Sequence, residues 1–391
     1  MSLWWASKDQ LDDHQLSLIE DLQIEGSYLV LGPPGSGKTN VLLRRAQFIR
    51  SQSLPNILVL TFTRPLTEFL RTGCFNANGD EIFPPGLITT YESWIREIYY
   101  KNKVELPPES ANNLAVRKAQ LAKGAIEILK SAPMPRYDAL FVDEAQDLLP
   151  EEVELIRSLS DRLFFVGDDR QRIYGSKNGL ESVRALAPPP VEKKLSFHYR
   201  LAPEICSMAD RILKNVVGGD LASSSHYKGP KPARIDIHAL QDRAAIIDIA
   251  VRNLIAQARV YSGLLQQGDR LGIVVPKRVD RDLIFRALEG HQDLNGRSQI
   301  VRARTGDASD NHSTALDPGR PILIMTEQGC KGLEFRAVHW LFVDDNTQYR
   351  TNELYYTVVT RAKTSLDIYH SSSLPPTLSR AYAKPGKDIW S

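Results

Sequence analysis

Residues 32–39 read GPPGSGKT, and this stretch limits the possible folds more than any other. It has the spacing G-x-x-x-x-G-K-[ST]. It stands between an apolar, strand-like SYLVL (27–31) and a helix-like VLLRRAQFIR (41–50). In that context such a loop turns its backbone N–H groups toward a polyphosphate. Gly32 opens the loop, Ser36 lies inside it, and Gly35 and Gly37 let it curl. Lys38 is then expected to reach the β and γ phosphates and Thr39 to offer its hydroxyl to Mg²⁺.

The matching acidic segment is LFVDEAQD (140–147). Asp143 ends an apolar run and is the second expected Mg²⁺ residue. Glu144 follows it and can orient or deprotonate an attacking water. Around these two segments, short apolar runs alternate with helical periodicity: NILVLTFT (56–63), GLITT (86–90), RYDALFVDEAQD (136–147) and RLFFVGDD (162–169). After APPP (187–190) the alternation resumes with RIDIHAL (234–240), DRLGIVVP (269–276), PILIMT (321–326), AVHWLFV (337–343) and SLDIYH (365–370). This pattern predicts an α/β protein built on mostly parallel sheets flanked by helices. The expected division is a first lobe over 1–190 with a small helical insertion near 91–131. A second lobe follows over 191–370 with a reduced insertion near 291–320, then a tail over 371–391.

Composition narrows the class without choosing a partner. The 49 basic and 47 acidic residues give a net charge of +2, so nucleic-acid binding requires a local basic track. Cys74, Cys206 and Cys330 are widely spaced, which suggests neither a disulfide framework nor a zinc site and fits a reducing, cytoplasmic setting. Cys330 reads as a small buried residue. The opening MSLWWASKDQ is interrupted by polar residues and does not read as a signal peptide. No apolar run nears the ~20 residues of a membrane helix. Arg44, Arg45 and Arg50 on the helix after the loop read as a solvated face, as does Lys363.

Taken together, the segments resemble the UvrD/Rep type of superfamily 1 DNA helicases, in family order from about residue 11 to 370. The resemblance implies two RecA-like P-loop NTPase lobes, ATP with Mg²⁺, and a single-stranded DNA track followed 3′ to 5′. Gln15 resembles the glutamine that reads adenine. VLTFTRPLTEFL (59–70) resembles a strand-contacting segment, which brings in Thr61, Phe62, Thr63 and Arg64. VGDDRQRIYG (166–175) implies Asp168 as a brace, Gln171 as a γ-phosphate sensor, and Tyr174 with Lys177 on the nucleic-acid side. LSFHYR (195–200) implies Tyr199 against adenine and Arg200 on the γ phosphate. MTEQGCKGLEF (325–335) places Thr326 toward the strand and Glu334 toward the ribose. ELYYTVVTRAK (353–363) supplies Arg361 as a second phosphate finger.

Three departures from the family pattern bear on function. Ser176 stands where the family has a base-stacking tryptophan, a contact worth about 1–3 kcal/mol per base. Neither lobe has room for a full-size insertion domain, so duplex unwinding is expected to require a protein partner. Gln328 replaces a histidine and keeps hydrogen bonding without taking up a proton. The same residues also suit an ATP-regulated clamp or motor subunit of a DNA repair or anti-phage defence complex, or an RNA-dependent ATPase.

Overall fold

A computed structural model of the chain describes residues 5, 7–76, 78–108, 114–170, 179–214, 219–301, 316–345 and 347–383. Two compact units emerge, Trp5–Ser196 and the chain from Phe197 onward.

The first unit runs α1 (Asp13–Glu20), β1 (Tyr28–Leu31), α2 (Lys38–Ser51), β2 (Ile57–Thr61), α3 (Arg64–Thr72) and β3 (Ile88–Thr90). It continues with α4 (Tyr91–Lys101), α5 (Leu114–Ser131), β4 (Ala139–Val142), α6 (Pro150–Leu159), β5 (Leu163–Gly167), α7 (Gly179–Arg184) and β6 (Val191–Lys194). The sheet order is β3-β2-β4-β5-β1-β6, with every pairing parallel. β1, β2, β4 and β5 are buried along their whole length, because helices cover both faces. That burial is why their sequences are apolar runs and do not alternate. On one face α2 packs Val41, Leu42 and Ala46 with Val30, Val59 and Phe141. On the other, α4, α5 and α6 pack Trp94, Ala125 and Ile156 with Leu140 and Phe165. Leu31 pairs with Gly167, Phe165 with Val142, and Val142 with Leu60. The segments that leave these strands therefore share the carboxyl edge of one sheet, where open parallel sheets bind ligands.

The second unit contains α8 (Pro203–Ile212), β7 (Arg234–Ala239), α9 (Arg243–Val260), α10 (Ser262–Gln266), β8 (Leu271–Val275), α11 (Arg278–Glu289) and β9 (Ser298–Ile300). It ends with β10 (Ile322–Thr326), β11 (Phe335–Trp340), α12 (Asn352–Val359), β12 (Ala362–His370) and α13 (Pro376–Tyr382). Its sheet is also all parallel, in the order β7-β12-β11-β8-β10-β9. Two mostly parallel six-stranded sheets flanked by helices are the architecture expected of two RecA-like lobes.

Two boundaries differ from the sequence reading. Val191–Lys194 pairs with β1, so the first unit extends through Ser196 and does not end at 190. The segment after His370 is more than a tail, since α13 buries Leu378 and Ala381 completely against the second core. Among the described residues no helix is long and apolar enough to cross a membrane.

Candidate nucleotide site and strand-facing segment

The phosphate loop is held by its own conformation and by α1. Gly35 and Gly37 have φ of 77° and 85°, values that L side chains rarely adopt. Gly37 is the N-cap of α2, so the helix points its unpaired N–H groups and positive dipole end at the loop. Gly32 N–H donates to the Gly167 carbonyl at 3.2 Å, tying the loop to the end of β5. Gln15 is buried against the loop, with Nε2 donating to the Ser36 carbonyl at 2.9 Å and Oε1 accepting from Asp12 N–H at 3.2 Å. A Cβ on Gly37 would come within 2.6 Å of Gln15 Nε2, so a side chain there would also displace the Gln15 amide. Lys38 Nζ donates to the carbonyls of Gly32 (2.6 Å) and Pro33 (2.9 Å), lying back along the loop.

Arg45 corrects the expected solvated face of α2. It is 2% exposed and donates to the carbonyls of Ile19, Leu22 and Gln23. It thereby clamps the end of α1, the helix that carries Gln15, to α2.

The acidic pair follows β4, which β5 separates from β1. Thr39 Oγ1 donates to Asp143 Oδ2 at 2.9 Å, and Glu144 N–H donates to Asp143 Oδ1 at 2.8 Å. Burial, followed by the neighbouring Glu144 charge, pushes the Asp143 carboxyl up to about 7; Thr39, the Glu144 N–H and Lys38 pull the other way and do not offset it. Glu144 has φ of 54°, a left-handed conformation that costs a non-glycine residue about 1–3 kcal/mol. A 3-10 turn, Ala145–Asp147, follows at once.

Gln146, which sequence reasoning passed over, fixes this arrangement. Its Nε2 donates to Glu144 Oε2, while its Oε1 accepts from Asp168 N–H at 3.1 Å. Asp168, expected as a brace, is buried at the end of β5. Its Oδ1 accepts from Arg170 N–H at 3.0 Å, and its Oδ2 has no hydrogen-bond partner among the described residues. Burial raises the Asp168 carboxyl, against the pull of Lys38. The donor set fits Mg²⁺. A hydroxyl and a buried carboxylate already touch, a second carboxylate is adjacent, and Ser36 Oγ is buried without a hydrogen-bond partner among the described residues. Gln171, Tyr174, Ser176 and Lys177 lie outside the described residues.

The strand-facing expectation holds unevenly along 61–64. Thr61 is 2% exposed, and its Oγ1 lies 2.5 Å from Thr67 Oγ1 inside the lobe. Thr63 is buried as the N-cap of α3, its hydroxyl accepting from Leu66 N–H at 3.4 Å. Both hydroxyls are thus turned inward to shape the β2–α3 corner, contrary to the strand contacts expected of them. Phe62 and Arg64 are half-buried. The Lys118 ammonium of α5 stands 4.6 Å from the centroid of the Phe62 ring.

Within the second unit, Arg200 Nη1 pairs with Glu334 Oε2 at 2.6 Å. Burial pushes the Glu334 carboxyl up, but Arg200, Lys363 and Arg361 together hold it below the usual range. Arg361 is 4% exposed and donates to the carbonyls of Thr357 (3.0 Å) and Leu333 (3.1 Å). Lys363, expected on a solvated face, is instead buried and paired with Asp269 at 2.8 Å; Asp269 also binds Arg336. Tyr199 is half-buried beside His226, with ring centroids 5.8 Å apart. Thr326 Oγ1 accepts from Gly329 N–H at 3.2 Å, and Gln328 is exposed. Cys330 is fully buried, as expected of a small core residue, and its thiol is pushed up to about 12, chiefly by burial.

A family profile described as an AAA domain matches residues 15–177. The chain is similar to F-box DNA helicase 1 of Gallus gallus, with 28% identity over 152 residues, 36% of this chain and 15% of that protein. It is also similar to a probable DNA helicase of Mycoplasma pneumoniae, with 23% identity over 273 residues, 64% of this chain and 47% of that protein. The chain thus spans less than half the length of either relative. Among solved structures, the PRRSV helicase aligns over 91% of this chain and 54% of its own at 12% identity, with a TM-score of 0.42. Profile and relatives together support a P-loop fold of the superfamily 1 helicase type.

Proposed function

We propose that the chain is an ATP-hydrolysing motor of the UvrD/Rep type that travels 3′ to 5′ along single-stranded DNA. The observation that carries this reading is the acidic pair beside the loop: Thr39 on Asp143 at 2.9 Å, with Glu144 next in the chain. Lys38 would leave the Gly32 and Pro33 carbonyls for the β and γ phosphates. The N–H groups at the start of α2 would receive the same phosphates, so binding would exchange weak internal contacts for charge-assisted ones. Thr39 and Asp143 would hold Mg²⁺, which neutralises phosphate charge and orients the nucleotide when bound. Glu144, its carboxylate aimed by Gln146, would orient the attacking water and take its proton.

Charge that builds on the γ phosphoryl group calls for further cations. Arg200, whose side chain is 25% exposed, is the proposed cation of the second unit. Arg361 is bonded to carbonyl oxygens and would have to change partners to act as a second one. Tyr199 and Glu334 are the proposed base and ribose contacts. Phe62, Arg64, Thr326, Tyr174 and Lys177 are the proposed strand-facing groups, and Gln171 the proposed phosphate sensor. Separating a duplex is assigned to a protein partner, because the insertion in the first unit amounts to α4 and α5.

Displacement of streptavidin from end-biotinylated oligonucleotides tests the motor reading. ATP-dependent displacement from the 5′ end and not the 3′ end is expected. Displacement from neither end refutes translocation, and displacement from the 3′ end alone refutes the direction.

A further inference from the structure

Lys118 is not part of any motif, yet it touches three of the segments discussed above. It lies on α5, in the helical insertion. Its ammonium stands 4.6 Å from the centroid of Phe62, pairs with Glu152 Oε2 at 3.0 Å, and donates to the Asp147 carbonyl at 3.2 Å. Glu152 is 1% exposed and also accepts from Leu149 N–H at 2.8 Å, which fixes it at the start of α6. Asp147 is the last residue of the 3-10 turn that begins just after Glu144. Its N–H donates back to the Glu144 carbonyl at 3.0 Å. A short chain of contacts therefore runs from the Phe62 ring through one ammonium and one carbonyl to the residue proposed to activate water.

We propose that Lys118 is a positioning residue that couples occupancy of the Phe62 face by a nucleobase to the placement of Glu144. The inference rests on the single-strand motor reading above. An ammonium has three donors, and here it divides them between a carboxylate, a carbonyl and a ring face. The carboxylate is anchored at the start of α6 and the carbonyl in the 3-10 turn. The ring is the partner that changes when a base stacks on it or a phosphate arrives beside it. An approaching phosphate competes with Glu152 for the ammonium, and a stacked base fixes the ring beneath it. Either event changes the pull of Lys118 on the Asp147 carbonyl. That pull acts within one rigid turn on Glu144, which is already held in a strained conformation and aimed by Gln146. Sites separated by such a link are coupled through binding free energy, which a double-mutant cycle measures.

The test compares steady-state ATP turnover with and without oligo(dT) in the full chain carrying Lys118→Met, Lys118→Arg, Phe62→Ala, and Phe62→Ala with Lys118→Met. In Lys118→Met the ratio of stimulated to unstimulated kcat should fall severalfold while staying above one, with the KM for ATP within about twofold of the unsubstituted chain. Lys118→Arg keeps a cation over the ring and should retain most of the stimulation. The double variant should lose no more stimulation than Lys118→Met alone, because both changes cut one path. Thermal unfolding of each variant separates misfolding from uncoupling, and Glu152→Gln, which keeps the ammonium on Phe62 and Asp147, should remain stimulated. Full stimulation of a folded Lys118→Met overturns the inference, as do multiplying effects in the double variant. If the unsubstituted chain is stimulated by no nucleic acid, the motor reading itself fails and this inference fails with it.

Discussion

Replacing Asp143 with Asn should make the nucleotide-free protein more stable at neutral pH. The folded Asp143 carboxyl keeps its proton up to about 7, whereas the ordinary value is 3.8. Between those values the folded state binds more protons than the unfolded state, so this group's contribution to stability falls as pH rises. Raising a carboxyl that far corresponds to at most about 4 kcal/mol, so a gain of about 2–4 kcal/mol is expected for Asp143→Asn at pH 8. Asparagine keeps an oxygen to accept from Thr39 or the Glu144 N–H, so the swap isolates the charge. The assay is urea unfolding in EDTA across pH 4 to 8, comparing the two proteins at each pH. The stability gap should be near zero at pH 4 and widen through pH 7. Millimolar Mg²⁺ at pH 8 should narrow it by stabilising only the chain that retains Asp143. A gap that is absent at pH 8, or that does not change with pH, refutes the account of this carboxylate.

Glu144→Gln should lower ATP turnover by about 10²–10⁴-fold while nucleotide affinity, read by a fluorescent analogue, stays within a few fold; turnover like that of the unsubstituted chain would reject Glu144 as the water-orienting group. Lys38→Ala should lower nucleotide affinity in the same titration, since the ammonium that would leave two loop carbonyls for the phosphates is gone. Arg45→Ala should destabilise the fold by about 3 kcal/mol, because three carbonyls lose a charged donor. A change below about 1 kcal/mol in urea unfolding would contradict that role.

The nucleotide site was legible because its chemistry is local. GPPGSGKT and DEAQD each carry their residues within eight positions or fewer, at the ends of strands whose apolar runs announce burial. What escaped the sequence reading depends on neighbours far along the chain. Arg45 and Lys363 read as solvated charges, but carbonyls at the end of α1 and the carboxylate of Asp269 bury them. VEKK (191–194) is charged and short, as edge strands are, and only its pairing with β1 reveals it. Thr61 and Thr63 carry hydroxyls that suit either a phosphate or a corner of the backbone, and the corner takes both. Gln146 lay in plain view inside DEAQD, where an amide beside a catalytic carboxylate could have been read as its support. Lys118 had no sequence signal, because its three partners come from the residue after β2, the DEAQD turn and α6.

The proposed coupling of ATP hydrolysis to a single strand is tested by ATP turnover with Mg²⁺ across oligo(dT), duplex DNA, single-stranded RNA and no nucleic acid. Turnover should disappear in EDTA and rise severalfold with oligo(dT), more than with duplex or RNA. Turnover unchanged by every nucleic acid would contradict the coupling.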